Sequence, residues 1–306
     1  MTRPTFALAI PHASWIPERA LMMTELREAL GVRPHDFDDN ACKHGTEGHS
    51  VTMFGGSHCG PSSLAGSFRY EEFTEREHWS SWFLKILRWA GDADASHLLV
   101  LQDDVEVAPH FWEALSAMVT AWPGEFIGLA ATHSLGPEIA RRGQRSYFAR
   151  KVVGWGYVIP IAIVGDLYFA CTTGGLLEAF RAQFPTDGED TMIAAFLKER
   201  RIPVRCPVPT IVDHLFCKST NEGFDVHTHR RSTVTWRGFS PEDMACPSWW
   251  QTHCAELPPD DWRRCWYCGK REEAFHSPDT GCGLCAPCVL GLVGSRLGLT
   301  VKTGGG

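Results

Sequence analysis

"HLLVLQDDVEVAPHFWEAL" (residues 97–115) decides the fold. Its first part is an unbroken apolar run, Leu98 to Leu101, of a length that suits one buried strand. The run stops at Gln102-Asp103-Asp104. Downstream, Phe111, Leu115, Met118, Val119 and Trp122 repeat at helical spacing, the stripe of a helix packed on one side. Strand, acidic turn and helix in direct succession are the repeating unit of an α/β sheet.

The alternation continues on both sides. Toward the N-terminus, "TFALAI" (5–10) reads as a strand and residues 17–30 as a helix, with Pro17 near its start. Residues 31–67 read as loops with one strand, "SVTMF", and residues 71–90 as an amphipathic helix. Toward the C-terminus, residues 125–131 read as a strand and 152–171 as one or two apolar strands. Helices follow at 174–184 and 190–201, then a strand and turn from Ile202. The pattern predicts an α/β fold with a mixed, mostly parallel sheet flanked by helices.

Composition narrows the class. The chain has 306 residues, 44% hydrophobic and 21% charged, as in an ordinary globular protein with a real core. A net charge of −7 argues against attachment to nucleic acid or an anionic membrane by bulk charge. The N-terminal apolar stretch ends at Pro11 and is too short for a secretory signal. Residues 152–164 are broken by Gly and Pro and fall short of the ~18 apolar residues of a membrane span. The expectation is a cytoplasmic protein with no membrane partner.

Acids at the exit of a strand lie where open α/β sheets bind ligands. Two adjacent carboxylates repel, and a divalent cation with oxygen ligands, Mn²⁺ or Mg²⁺, relieves the repulsion. "LVLQDDVEV" resembles the acidic metal motif of nucleotide-sugar glycosyltransferases with the GT-A fold, a Rossmann-like architecture. The resemblance extends in order over roughly 215 residues. "FALAIPHASWIPER" (6–19) is similar to that fold's first strand, whose end meets the nucleotide. "TTGGLLEAF" (172–180) is similar to its glycine loop, "TDGEDTMIAAFLKERRIPV" (186–204) to its acidic motif, and "VPTIVDHLFCKST" (208–220) to its C-terminal segment.

The resemblance implies roles. Asp104 is the main metal ligand, with Asp103 supporting it or touching the ribose, and His214 is a further ligand. Pro11, His12, Gln102, Gly174 and Gly175 contact the donor. Asp190 is the general base toward the acceptor hydroxyl and Glu189 positions donor or acceptor, which implies an inverting single displacement. Gln102 departs from the pattern, since an acid is common there.

The cysteines tell a second story. Five of the twelve fall within Cys265–Cys288. Cys265-x2-Cys268 and Cys285-x2-Cys288 have the spacing of four thiolates around a structural Zn²⁺, with Cys282 as an alternative ligand. The segment resembles a zinc ribbon. The expected organisation is a catalytic domain over 1–225, a linker or acceptor-side segment over 226–261, the ribbon over 262–290 and a tail over 291–306. A second His/Cys group, Cys42, His44, His49, His58 and Cys59, lies in the long early loop.

The acceptor is approached from charge. Arg230, Arg231 and Arg237 cluster with Trp236 and Phe239, a mixture suited to phosphate contact and base stacking. A glycosyltransferase without a signal and with a zinc ribbon resembles phage-type enzymes that glycosylate modified bases such as hydroxymethylcytosine in DNA. That would place it in the host cytoplasm. A glycan or protein acceptor, a metal-dependent hydrolase or nuclease, and a zinc-ribbon nucleic-acid-binding protein are the competing readings.

Overall fold

The structure, a computed structural model, describes residues 4–12, 17–31, 50–54, 68–72, 79–130, 133, 135–149, 152–183, 188–215, 232–256, 274–276 and 283–285. The chain divides into two compact units, Met1–Ala255 and Glu256–Gly306.

In chain order the first unit forms β1 (Phe6–His12), α1 (Pro17–Ala29), β2 (Ser50–Phe54), β3 (Phe68–Glu72), α2 (Trp79–Asp92) and β4 (His97–Leu101). There follow β5 (Val105–Val107), α3 (Phe111–Ala121), β6 (Phe126–Gly128), α4 (Gly136–Arg141), β7 (Ser146–Ala149) and β8 (Gly156–Pro160). The unit continues with α5 (Ile161–Thr172), α6 (Leu176–Gln183), α7 (Glu189–Arg200), β9 (Val204–Pro207) and β10 (Val212–His214). It ends with α8 (Pro241–Met244) and α9 (Pro247–Trp250). In the second unit β11 (Ala274–His276) pairs antiparallel with β12 (Gly283–Cys285).

One sheet orders its strands β3-β2-β1-β4-β8-β6-β9-β7, and β5 and β10 form a small sheet of their own. The expectation of an α/β fold with a mixed sheet and flanking helices holds. The expectation of mostly parallel pairing does not. Among the described strands, β1–β4 and β6–β9 are the parallel pairs. The pairings β1–β2, β2–β3, β4–β8, β6–β8 and β7–β9 are antiparallel. A strand buried on both faces is apolar throughout, so its composition carries no mark of its direction.

Side chains alternate across the sheet. Phe6, Leu8 and Ile10 of β1, Leu99 and Leu101 of β4, and Val158 of β8 join a core with residues of α1 and α3, Trp236, Met244 and Trp250. The intervening Ala7, Ala9, Leu98, Val100 and Tyr157 are also buried. They serve the other face, where α2, α5 and α7 pack on one another. α1 is tied down at its end, where the Trp112 indole donates to the Leu30 carbonyl (2.9 Å), one of the acceptors a helix terminus leaves over.

Three expectations are corrected. Residues 71 and 72 end β3, and the helix expected from 71 starts at Trp79, with Trp82, Phe83, Ile86, Leu87 and Ala90 buried. The second half of the apolar stretch 152–171 is helix α5, not strand. Its buried residues Val164, Leu167 and Cys171 keep helical spacing, but apolar Ile161, Ala162 and Phe169 on its other sides hide the period. Finally, residues 232–255 of the segment expected as a linker or acceptor-side piece fall within the first unit. Thr235 bridges Thr210, and Trp236, Met244 and Trp250 enter the core. Among the described residues no single helix is long and apolar enough to cross a membrane.

Candidate functional site

β1 and β4 are adjacent and parallel, so their C-terminal ends open at the same edge of the sheet. Chain segments from five places converge there, in two clusters.

The first cluster is built on Asp103 and Asp104. Both are buried, in the turn between β4 and β5. Arg19, in the first turn of α1, bridges them: Nη1 donates to Asp103 Oδ1 (2.5 Å) and Nη2 to Asp104 Oδ2 (2.6 Å). His12, the last residue of β1, donates from Nδ1 to Asp103 Oδ2 (2.8 Å). His214 arrives through the β5–β10 ladder, which pairs it with Val105. The Leu215 amide donates to the Asp104 carbonyl (2.8 Å), and His214 Nε2 comes 3.2 Å from Asp104 Oδ2. The Trp155 ring lies against the His214 ring, centroids 4.9 Å apart and planes 33° from parallel. Two carboxylates this deeply buried are tolerable only with cationic partners, and removing one partner of such a group costs about 3–5 kcal/mol.

The second cluster surrounds Gly154. A Cβ at that position would stand 3.1 Å from Gln102 Nε2, 3.5 Å from Glu189 Oε1 and 3.6 Å from Asp190 Cβ. The backbone beside it is pinned where the Gln102 amide donates to the Trp155 carbonyl (3.1 Å). Glu189 and Asp190 open α7, where acids suit the helix dipole. Asp190 Oδ1 accepts from the Thr191 amide (2.8 Å). Glu189 is buried, and burial, reinforced by the neighbouring Asp190 charge, pushes its carboxyl up to about 8, against a smaller opposing backbone hydrogen bond. Beneath them the fully buried Tyr157 hydroxyl has no hydrogen-bond partner among the described residues. Burial, then Glu189 and Asp190, raise its pKa well above the ordinary value.

The sequence-derived residues His12, Asp103, Asp104 and His214 thus meet in the first cluster, and Gln102, Glu189 and Asp190 in the second. Pro11 sits one residue before His12 in β1. Gly174 and Gly175 form the turn between α5 and α6. A Cβ on Gly174 would stand 2.9 Å from the Ala170 carbonyl oxygen, and Gly175 has φ +69°, so both glycines are accounted for by ending α5. Gly175 also borders an open pocket of about 450 Å³ with Cys171, Thr172, Leu177, Glu178 and Arg181. None of the residues in either cluster lines it.

Trp236 is not an open stacking surface: it is buried in the core, and Arg237 lies over its ring, 4.6 Å from the centroid. Arg237 pairs with Glu106 (2.5 Å) and reaches Asp213 (3.4 Å), clamping β5 to β10. Arg230 and Arg231 lie outside the described residues, as do Cys265, Cys268, Cys282, Cys288 and the His/Cys group at 42–59. Of Cys285 only the backbone, in β12, is described.

Sequence reasoning missed Arg19, Gly154, Trp155 and Tyr157. Arg19 carried a signal: a cation in the first turn of a helix opposes the dipole by ~0.3–1 kcal/mol, a local rule broken for some compensating gain.

A divalent ion placed between the two acids, with ligand oxygens at about 2 Å, would compete with Arg19 for Asp103 Oδ1 and Asp104 Oδ2. Among the described residues no three His, Cys, Asp or Glu side chains are arranged to hold a metal ion. No protein-family model and no curated protein matches the chain.

Proposed function

We propose that the chain is a glycosyltransferase that moves a sugar from a nucleotide-sugar donor to an acceptor hydroxyl. The observation that carries this is the convergence of Gln102, Glu189 and Asp190 on the bare Cα of Gly154, beside the Asp103–Asp104 cluster at the strand ends. One cluster supplies the Arg19 guanidinium with two histidines beside it for a diphosphate, the adjoining one supplies carboxyl groups for proton handling, and the lack of a Cβ at Gly154 lets those side chains approach the backbone.

The chemistry is a single displacement. The acceptor oxygen bonds to the anomeric carbon as the bond from that carbon to the diphosphate oxygen breaks, its electron pair leaving with the nucleoside diphosphate. Asp190 takes the acceptor's proton. Glu189, protonated near neutral pH, donates a hydrogen bond to a sugar or acceptor oxygen, the division of labour that two carboxyls in unlike settings allow. A hydroxymethylated base in DNA is the acceptor we propose first. With Trp236 and Arg237 engaged in the fold, its binding falls to Arg230, Arg231 and their neighbours. The second unit we propose to be a ribbon closed by Zn²⁺ on Cys265, Cys268, Cys285 and Cys288.

The test is a panel of nucleotide-sugars incubated with hydroxymethylated DNA, glycans and peptides, read by mass spectrometry. Sugar mass on an acceptor is expected, and a panel with neither transfer nor donor hydrolysis would overturn the reading. Asp190→Asn should keep nucleoside diphosphate binding and lose transfer by roughly a hundredfold or more. Full activity in that variant would remove Asp190 as the base. Elemental analysis should find one zinc per chain, and a zinc-free folded protein would discard the ribbon.

A further inference from the structure

We infer that the cation facing the donor diphosphate in this site is the guanidinium of Arg19, flanked by His12 and His214, and that Asp103 and Asp104 are positioning residues which hold it there. The inference rests on the nucleotide-sugar reading and departs from the metal that the acid pair first implied.

Three observations carry it. The first is occupancy. Arg19 holds one oxygen of each carboxylate, His12 holds the second oxygen of Asp103, and His214 lies against the same Asp104 oxygen that Arg19 uses. A divalent ion bound between the acids would have to evict a guanidinium from a buried double ion pair. The second is the direction of burial. The acid side chains are 1–2% exposed, while those of Arg19, His214 and His12 are 8%, 8% and 12% exposed. The acids are the most deeply buried members of the cluster, so what side-chain surface it leaves belongs mainly to Arg19, His12 and His214.

The third is chemical fit. A guanidinium anchored at both Nη atoms by the acids is fixed in plane and direction and loses little side-chain freedom on meeting a phosphate, whereas a lysine ammonium could not be anchored in the same way. His12 and His214 stand on either side of it, each against one of the two aspartates. The carboxylates then do for Arg19 what an orienting acid does for a metal-bound histidine: they fix its plane and direction. The adverse placement of a cation at the start of α1 is explained by the same arrangement.

The deciding experiment uses the whole wild-type chain. Calorimetry would follow binding of UDP, GDP, ADP, CDP, dTDP and inorganic pyrophosphate in excess EDTA and again with Mn²⁺. The expectation is that at least one probe binds in EDTA within about threefold of its affinity in Mn²⁺. In parallel, the paramagnetic resonance signal of aqueous Mn²⁺ should survive addition of protein. Arg19→Lys keeps the charge and loses the fork, and should weaken binding about tenfold or more in EDTA.

Binding that vanishes in EDTA and returns with Mn²⁺ would overturn the inference and leave the donor reading intact. Wild-type affinity in Arg19→Lys would overturn the role of Arg19. Failure of every probe under both conditions would overturn the donor reading, and the inference with it. The wild-type comparison decides the matter even if Arg19 variants do not fold.

Discussion

At the scale of single residues, Glu189 gives the sharpest expectation. Its carboxyl is pushed up to about 8 by burial and by Asp190, whereas in the unfolded chain it titrates near 4.5. Between those values the folded chain keeps a proton that the unfolded chain has released. The stability that this proton provides is complete below about 4.5 and is lost as pH rises through about 8. Glu189→Gln cannot ionise, so wild type should lose stability relative to it across that window, on the order of a few kcal/mol in all. Thermal melts of both proteins at a series of pH values check this, and parallel curves would refute it. His97, pushed down to about 4 by burial, titrates with the opposite sign, and comparing the two proteins at each pH cancels it. Arg19 belongs to the same scale. Nothing in "WIPERA" names its partners, because they lie 84 and 85 residues away and only the parallel pairing of β1 with β4 brings them together.

At the scale of elements, the β5–β10 ladder delivers His214 to the acids. Asp213, buried within it, accepts from the Ser232 amide (2.9 Å) and the His214 amide (3.1 Å). Asp213→Ala should cost about 1–3 kcal/mol and speed hydrogen exchange at Ser232 and His214 while the amides of β1 and β4 keep their protection. Unchanged exchange at those two amides would mean that the ladder stands without Asp213. Much at this scale was legible. β1, α1, β2, β4, α3 and α7 lie where their patterns put them; β4 is marked by an unbroken apolar run that stops at Gln102, and α3 by its apolar stripe from Phe111. α5 was not legible, because apolar residues surround it on all sides. β5 was not, because its three residues are too few to show a period.

At the scale of the molecule, the segment read as a linker or acceptor-side piece contributes Trp236, Met244 and Trp250 to the core. Trp250 is fully buried, donates from its indole to the Met244 carbonyl (2.7 Å) and meets Trp122 edge-on at 5.6 Å. Trp250→Ala should therefore destabilise the first unit by about 3–5 kcal/mol in urea unfolding, and a loss under 1 kcal/mol would return 232–255 to the status of a linker. The sequence concealed this because α8 and α9 are single turns among prolines, with no period to read. The strand end has a consequence for how such a protein changes over time. Neighbouring residues Gln102 and Asp103 reach into different clusters, and so do the adjoining Gly154 and Trp155. Substitutions can retune either half while sparing the other. An inserted or deleted residue between Leu98 and Asp103 has no such freedom. It would exchange the two side chains and spoil both halves at once, so lineages descended from this chain should vary here in letters but not in length.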